Sequence, residues 1–157
     1  MRIRTVFIAA ILSTACTDPK QSTPERQAEV AERGAAVMPF DLDKTKHHFE
    51  ALHDGGLQTV TANDPADTAQ IALIQGHLKK EAANFSRGMF DDPAAIHGHD
   101  MPGLAELKAG ASKIRVEYDP ENDGGRIRYT TTEPALVDAL HRWFDAQRMD
   151  HGKHAQD

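Results

Sequence analysis

The chain has 157 residues, which is the size of one domain. Its 18 Lys and Arg against 24 Asp and Glu give a formal net charge of −6, which argues against a broad nucleic-acid-binding surface. A single Cys excludes both an intramolecular disulfide framework and a Cys-rich zinc module. The unusual feature of the composition is its nine His, which direct attention to imidazole chemistry.

The first sixteen residues have the pattern of a bacterial export signal. Arg2 and Arg4 precede a short apolar core over residues 6–12, far below the roughly 20 residues that a membrane-spanning helix needs. Small residues at positions 13–15 then lead directly to Cys16. This arrangement resembles the lipobox of bacterial lipoproteins, in which signal peptidase II cleaves before a Cys that carries the lipid.

The export signal divides the chain into three parts. We expect a lipoprotein signal peptide over residues 1–15, a lipidated Cys16 with a tether over residues 16–37, and one domain over residues 38–154. Acyl chains such as palmitate would then anchor the protein to a periplasm-facing membrane of the cell envelope, inner or outer, because an acidic protein offers lipid no basic face. The alternative is an ordinary secretory signal that is cut near Ala15 and leaves a free thiol.

The tether contains one predicted helix. Pro24 is a favourable first residue, and Ser22 or Thr23 can cap a helix that runs over about residues 25–36. Its apolar face is weak, so a helix packed on the domain and a marginal spacer are both open.

A duplication is the strongest structural signal. Asp54-Gly55-Gly56 recurs sixty-nine residues later as Asp123-Gly124-Gly125, and Pro65 recurs as Pro134 at the same offset. Glycine pairs between β-type segments indicate hairpins, because such turns need positive φ. We therefore expect strands over residues 46–52, 57–62, 113–119 and 126–131.

Each predicted hairpin leads into a helix that begins with Pro. Asp64 is expected to cap a helix over about residues 65–87, and Thr132 or Glu133 precedes one over about residues 134–149. The predicted fold class is therefore α+β: duplicated ββα units form a four-stranded antiparallel sheet with helices packed on one face, where the apolar helix stripes are buried.

The segment between the two units carries the densest run of metal-binding groups. Pro and Gly predict a surface loop over residues 93–102, followed by a short helix over about residues 104–109. In an extended loop His97 and His99 point the same way, so their imidazoles can meet one ion, and Met101 adds a soft sulfur. Imidazole suits zinc, copper and nickel, whereas a thioether favours Cu(I).

A third ligand must come from elsewhere in the fold. His77 shares a helix face with Glu81 and precedes the loop, and His151 follows the second long helix, which the duplication places beside the first. The predicted metal ligands are therefore His97, His99, Met101, His77 and His151, with copper or zinc as the ion. The structural alternative is that His77 is simply a half-buried core residue.

Other residues of the same types have mainly structural interpretations. Asp100 can cap the short helix that begins near Pro102, with Met101 packed beneath it. His47 and His48 alternate along the first strand, so at most one of them can join a given site. His141, beside an apolar helix stripe, is expected to be a satisfied core histidine.

The common enzyme motifs are absent from the sequence. There is no Gly-x-Ser-x-Gly elbow, no His-Glu-x-x-His and no phosphate-binding Gly-x-x-x-x-Gly-Lys-Ser/Thr loop. Three functions therefore remain open: a metal-binding envelope lipoprotein, a metal-free interaction module whose protein partners the sequence does not name, and a small metal-dependent enzyme. The last would need an open coordination position.

Several segments, at residues 38–43, 94–98, 100–104 and 143–147, resemble a family of small bacterial proteins over about residues 37–154. Some of its members carry the name aspartate carbamoyltransferase. That name implies a subunit of about twice this length, with a Ser-Thr-Arg-Thr-Arg loop for carbamoyl phosphate, and no segment here matches the loop. The resemblance therefore implies no catalytic residues for this chain.

Overall fold

A computed structural model describes residues 22–156. The predicted signal peptide and Cys16 lie outside these residues. The described elements, in chain order, are α1 (Pro24–Val37), β1 (Thr45–Leu52), β2 (Gly55–Ala62), α2 (Thr68–Phe85), α3 (Asp91–His97), α4 (Leu104–Gly110), β3 (Arg115–Glu121), β4 (Gly124–Thr130), α5 (Pro134–His151) and β5 (Ala155–Gln156), with 3-10 turns at Leu42–Lys44, Ala111–Lys113 and Gly152–His154.

The sheet has the strand order β3-β4-β2-β1-β5. Two hairpins, β1–β2 and β3–β4, meet through an antiparallel pairing of β2 with β4, which confirms the predicted four-stranded antiparallel sheet. Burial alternates along β1, where His47 and Phe49 are buried and Lys46 and Glu50 are exposed. The α+β architecture is therefore as expected, with helices packed on the sheet. The short β5, which pairs parallel with β1, was not predicted.

The strand register carries the duplication. In the β2–β4 ladder Gln58 faces Ile127, a residue sixty-nine positions later, so equivalent positions of the two units meet at the centre. Gly55 and Gly124 were predicted to lie in the hairpin turns, but they are the first residues of β2 and β4, and of the two only Gly55 has a positive φ. Their surroundings are equivalent: a Cβ on Gly55 would lie 2.1 Å from the Tyr129 carbonyl oxygen, and one on Gly124 would lie 1.9 Å from that of Val60. Glycine is required at both places because the neighbouring strand approaches too closely for a side chain.

The two long helices begin differently, although the sequence has a proline at the repeated position in both units. α5 starts at Pro134, as predicted. α2 starts at Thr68, not at Pro65, and its cap is Asp67, whose carboxylate accepts a hydrogen bond from the Gln70 amide at 3.1 Å. The predicted Asp64 cap is wrong because the Asp64 carboxylate instead accepts from the Ala66 amide at 2.9 Å and closes a turn before the helix.

The segment predicted to be a loop over residues 93–102 contains most of α3. Pro93 lies in the first helical turn, where its missing N–H removes no helical hydrogen bond. Asp91 and Asp92 in that turn complement the helix dipole. The helix ends at His97 and is followed by Gly98, which has a φ of +99° and leaves the helical conformation. The loop prediction is therefore wrong for residues 93–97.

α1 packs on the domain. Thr23 caps it by accepting a hydrogen bond from the Arg26 amide, and its buried residues are Val30 and Gly34. The helix contacts α3 and α5, so of the two alternatives, a helix packed on the domain and a marginal spacer, the first is correct. Among the described residues no helix combines the length and apolar character that a bilayer crossing requires.

Candidate metal centre

A small cavity of about 40 Å³ lies between the sheet and helices α2, α3 and α5. Such a volume exceeds the roughly 10–15 Å³ that one water molecule needs. Its apolar wall includes Phe40, Val60 and Phe85. The polar residues that line it are His47, Gln58, His77, Glu81, Asp92, His97, Gln147 and His151.

Three of these side chains form a group with the spacing of metal ligands. His77 and Glu81 are four residues apart on α2, so they share one helix face, and Asp92 comes from the first turn of α3. One ligand atom from each of the three lies within 4.8 Å of the others. The Glu81 side chain is 5% exposed, which is unusual for a carboxylate unless it is paired.

The two carboxyl groups have different protonation preferences. Burial, together with the charge and hydrogen bond of Asp92, raises the pKa of Glu81 to about 7. Burial also acts to raise the pKa of Asp92, but hydrogen bonds from Lys80 and Glu81 outweigh it, and the pKa is lowered. Near neutral pH the pair therefore holds an ionised Asp92 beside a Glu81 that is close to half-protonated.

Lys80 supplies a positive charge at the outer side of this group. Its Nζ lies 2.9 Å from Asp92 Oδ2 and 3.6 Å from Glu81 Oε1. The Lys80 side chain is 60% exposed, so it can move into solvent without rearranging the core. A cation that entered the site would thus compete with the two ion pairs of Lys80 and with one carboxyl proton.

The third member, His77, favours the neutral form that binds metals. Burial lowers its pKa and outweighs the opposing charge of Asp92. The Phe40 ring meets the His77 ring edge-on, with centroids 5.6 Å apart. His77 therefore supplies a neutral imidazole beside two potential oxygen ligands.

Three further imidazoles form a cluster at the same cavity. The rings of His47 and His151 are stacked, with centroids 4.8 Å apart and planes 7° apart, and His97 meets His151 edge-on at 5.0 Å. Burial lowers the pKa of His47 to about 3, with neighbouring histidines adding to the effect, and burial also lowers the pKa of His151. His47 and His151 are therefore uncharged at neutral pH.

A network at the surface fixes the orientation of His97. Its Nδ1 lies 2.9 Å from Asp150 Oδ2, and the same carboxylate accepts hydrogen bonds from Arg26 and Ser22. Burial acts to raise the pKa of Asp150, but the hydrogen bonds from His97 and Arg26 outweigh it and hold the pKa well below its usual range. An ionised Asp150 favours the tautomer of His97 that carries its proton on Nδ1.

Three buried nitrogen atoms at the cavity have no hydrogen-bond partner among the described residues. They are His47 Nδ1, Trp143 Nε1 and Gln147 Nε2. Buried polar atoms nearly always have a hydrogen-bond partner in folded proteins. The cavity therefore has hydrogen-bonding capacity that the described residues leave unsatisfied.

The structure brings together part of the predicted ligand set. His77, His97 and His151 all line the cavity. His99 is exposed, and Met101 is buried at an outer cleft with His97 and Asp100, away from the cavity lining. His97 is the last residue of α3 and is buried, whereas His99 follows Gly98 and is exposed, so the extended-loop interpretation is wrong.

Two structural interpretations can also be compared with the geometry. Asp100 does not cap α4: the helix is preceded by Gly103, with no side-chain cap. His141 Nε2 lies 2.9 Å from the Leu52 carbonyl oxygen and 3.0 Å from that of Gly55, so its ring holds the first hairpin turn to α5.

Asp92, Trp143 and Gln147 line the cavity without having been predicted as site residues, and His47 was predicted only as one of two histidines that could join a site. Glu81 was recognised only as a neighbour of His77 on one helix face. A local signal existed for Gln147, which follows Trp143 by four residues and interrupts an apolar stripe. Asp92 carries no comparable signal, because its position near His77 depends on the turn between α2 and α3.

Comparison of the chain with models of protein families, with curated proteins and with solved structures found no match. The resemblance to the family of small bacterial proteins stays a prediction, and the geometry of the cavity is the basis on which a function can be proposed.

Proposed function

We propose that this protein is a metal-binding lipoprotein of the cell envelope, and that its domain binds Zn²⁺ through His77, Glu81 and Asp92. The observation that carries the proposal is the convergence of one imidazole and two carboxylates from two helices, with ligand atoms within 4.8 Å of one another. Tetrahedral zinc, at about 2.1 Å from each ligand, separates its ligands by about 3.4 Å. Rotation of the three side chains can bring their ligand atoms from within 4.8 Å of one another to the separation that zinc requires.

The donor set favours zinc over the copper alternative. Nitrogen with two carboxylate oxygens suits a borderline divalent ion, whereas Cu(I) prefers sulfur. Met101 is the predicted sulfur donor, and it does not line the cavity. Three protein ligands also leave a fourth position for an exogenous group, as in catalytic zinc sites.

Zinc binding at this site would be an exchange of cations. The ion would displace the proton that Glu81 holds near neutral pH and would weaken the contact between Lys80 and Asp92. Proton release on metal binding is expected whenever a ligand must be deprotonated. The affinity should therefore decrease as the pH falls through about 7.

Metal retention by the purified protein, prepared without an affinity tag, tests the site. The protein is dialysed against a mixture of Zn²⁺, Cu²⁺ and Ni²⁺, separated from free metal and analysed for bound ions. We expect one zinc per chain in the wild type and little in His77→Ala. His99→Ala is the matched control, because His99 is exposed, and it should retain zinc. Equal retention by wild type and His77→Ala would exclude the site.

The envelope part of the proposal is supported by Arg2, Arg4, the apolar core and Cys16, which together resemble a lipoprotein signal. Lipidation would place the domain at a membrane surface and expose its cavity to periplasmic metal. Fractionation of cells that express the wild type and Cys16→Ala tests this part separately from the metal site.

A metal-free interaction module is the second candidate, and the Lys80 ion pairs favour it. Lys80 already neutralises the carboxylates from outside, so the group can be complete without a metal. The two candidates differ in the effect of Lys80→Met. The variant should bind zinc more tightly if the site is a metal site, whereas it should only lose stability if Lys80 is the permanent counterion.

A further inference from the structure

Helix α5 contributes two buried donors to the cavity wall. Trp143 and Gln147 are four residues apart, so they share one helix face, and their side chains line the cavity. Trp143 Nε1 and Gln147 Nε2 lack hydrogen-bond partners among the described residues. Both residues are at most 5% exposed, so bulk solvent does not satisfy these groups.

The chemistry of these atoms defines what can bind there. The Trp143 indole nitrogen is a donor only, and the Gln147 amide nitrogen carries two donors. His47 Nδ1, the third unpartnered atom, can also donate, since a neutral imidazole carries its proton on either nitrogen. At Trp143 Nε1 and Gln147 Nε2 the missing partner therefore offers acceptor atoms, which water, hydroxide or an anion has and a bare cation lacks.

We propose that the cavity takes a small monovalent anion that is the fourth ligand of the metal and accepts hydrogen bonds from Trp143 Nε1 and Gln147 Nε2. This inference rests on the proposed zinc site. The volume of about 40 Å³ sets the size, since about 10–15 Å³ are needed per water molecule. The metal ion takes part of this space, so the anion has at most about three heavy atoms, with hydroxide as the smallest case.

The charges around the cavity agree with a single negative charge. The carboxylates of Glu81 and Asp92 neutralise a divalent ion. A bound monovalent anion then gives the whole group a net charge of about −1. Lys80, 2.9 Å from Asp92, balances that charge from the outer side. A divalent anion would leave a second negative charge with no partner in a buried place, which is costly.

Cobalt-substituted protein provides a test, because Co²⁺ occupies zinc-type sites and its visible absorption reports the ligands. The Co²⁺ protein is titrated with sodium azide at constant ionic strength, and with sodium sulfate as the divalent, larger comparison. We expect a saturable spectral change with azide and none with sulfate. Gln147→Met, which keeps the length of the side chain but removes the donors, should weaken azide binding about tenfold or more.

Two controls separate the donor effect from a general effect of substitution. Gln75→Met makes the same change outside the cavity, at a side chain that donates to the Glu121 carbonyl at 3.0 Å, and should leave azide affinity unchanged. Cobalt affinity should stay within about twofold in Gln147→Met, because Gln147 is not a proposed metal ligand. If Gln147→Met does not fold, as judged by circular dichroism, Trp143→Phe removes the other donor and is measured instead.

The outcomes distinguish the two proposals. Failure of the wild type to bind Co²⁺ or Zn²⁺ would overturn the metal site itself. Cobalt binding without an azide response would overturn only the anion, and so would equal azide affinity in the wild type and the donor-free variant. A sulfate response as strong as that of azide would contradict the proposed size and charge.

Discussion

Replacement of Glu81 by Gln should stabilise the metal-free protein at alkaline pH. The pKa of Glu81 is raised from about 4.5 to about 7, so between these values the folded state binds more protons than the unfolded state. The associated free energy of unfolding is therefore fully present below pH 4.5 and is lost as the pH rises through 7. Glutamine stays neutral and does not incur this loss.

The magnitude follows from the size of the shift. About 2.5 pKa units correspond to about 3 kcal/mol at 1.36 kcal/mol per unit, and relaxation and the nearby charge of Lys80 reduce this to about 1–3 kcal/mol. In Glu81→Gln the new amide oxygen would keep the acceptor that Glu81 Oε1 offers to Asn84 Nδ2, at 3.3 Å. The new amide nitrogen can donate to Asp92 as the protonated carboxyl does.

Urea unfolding in the presence of a chelator measures the effect. At pH 5 the Glu81→Gln variant and the wild type should have similar free energies of unfolding, and at pH 8.5 the variant should be more stable by about 1–3 kcal/mol. The lowered pKa of His47 makes both proteins less stable as the pH falls from about 6.5 towards 3, and this contribution cancels in the difference. Added zinc should reverse the order, because the variant keeps Asp92 but lacks the Glu81 carboxylate as a ligand.

The comparison includes a matched control. Glu50→Gln makes the same change on the solvent-facing side of β1 and should not alter the pH dependence of stability. If Glu81→Gln and the wild type lose stability in parallel between pH 5 and 8.5, Glu81 is ionised throughout, and burial does not raise its pKa.

Four further measurements test the site, the fold and the anchor. Lys80→Met should raise zinc affinity several-fold in a competition titration, because a positive charge is removed from beside the ion; unchanged or weaker affinity would contradict this. Zinc binding should release nearly one proton per ion at pH 6 and clearly fewer at pH 8, measured in weakly buffered solution, since Glu81 is protonated only at the lower pH. Gly124→Ala should destabilise the protein by about 2 kcal/mol or more in thermal unfolding, because its Cβ would lie 1.9 Å from the Val60 carbonyl oxygen, and a neutral effect would show that the strands can separate there. Cys16→Ala should move the protein from the membrane fraction to the soluble fraction, and wild type recovered in the soluble fraction with a free thiol would contradict lipidation.

The sequence by itself determined the local elements and their duplication. Glycines and helix-starting prolines act over a few residues, so both hairpins form and α5 starts at Pro134 as predicted, although Gly55 and Gly124 are strand residues and not turn residues. The prediction was wrong at Pro65, which lies in a turn and not at the start of a helix. Asp64 closes that turn, and Asp67 is the residue that caps α2. The prediction was also wrong at Pro93. Proline breaks a helix in its interior but is compatible with the first turn of a helix, and Pro93 lies in the first turn of α3.

The convergence of the site was decided only by the tertiary structure. The spacing of His77 and Glu81 is fixed by helix geometry and can be read from the sequence. The approach of Asp92, and of His151 from the far end of α5, depends on how α2, α3 and α5 pack over the sheet. Burial of Glu81 likewise comes from that packing, and it is burial that raises the pKa and makes the carboxyl a candidate ligand. The spacing of residues along one helix shows which side chains are neighbours on that helix. The cavity is formed by side chains from different elements, and their spacing in the sequence does not show that they are close.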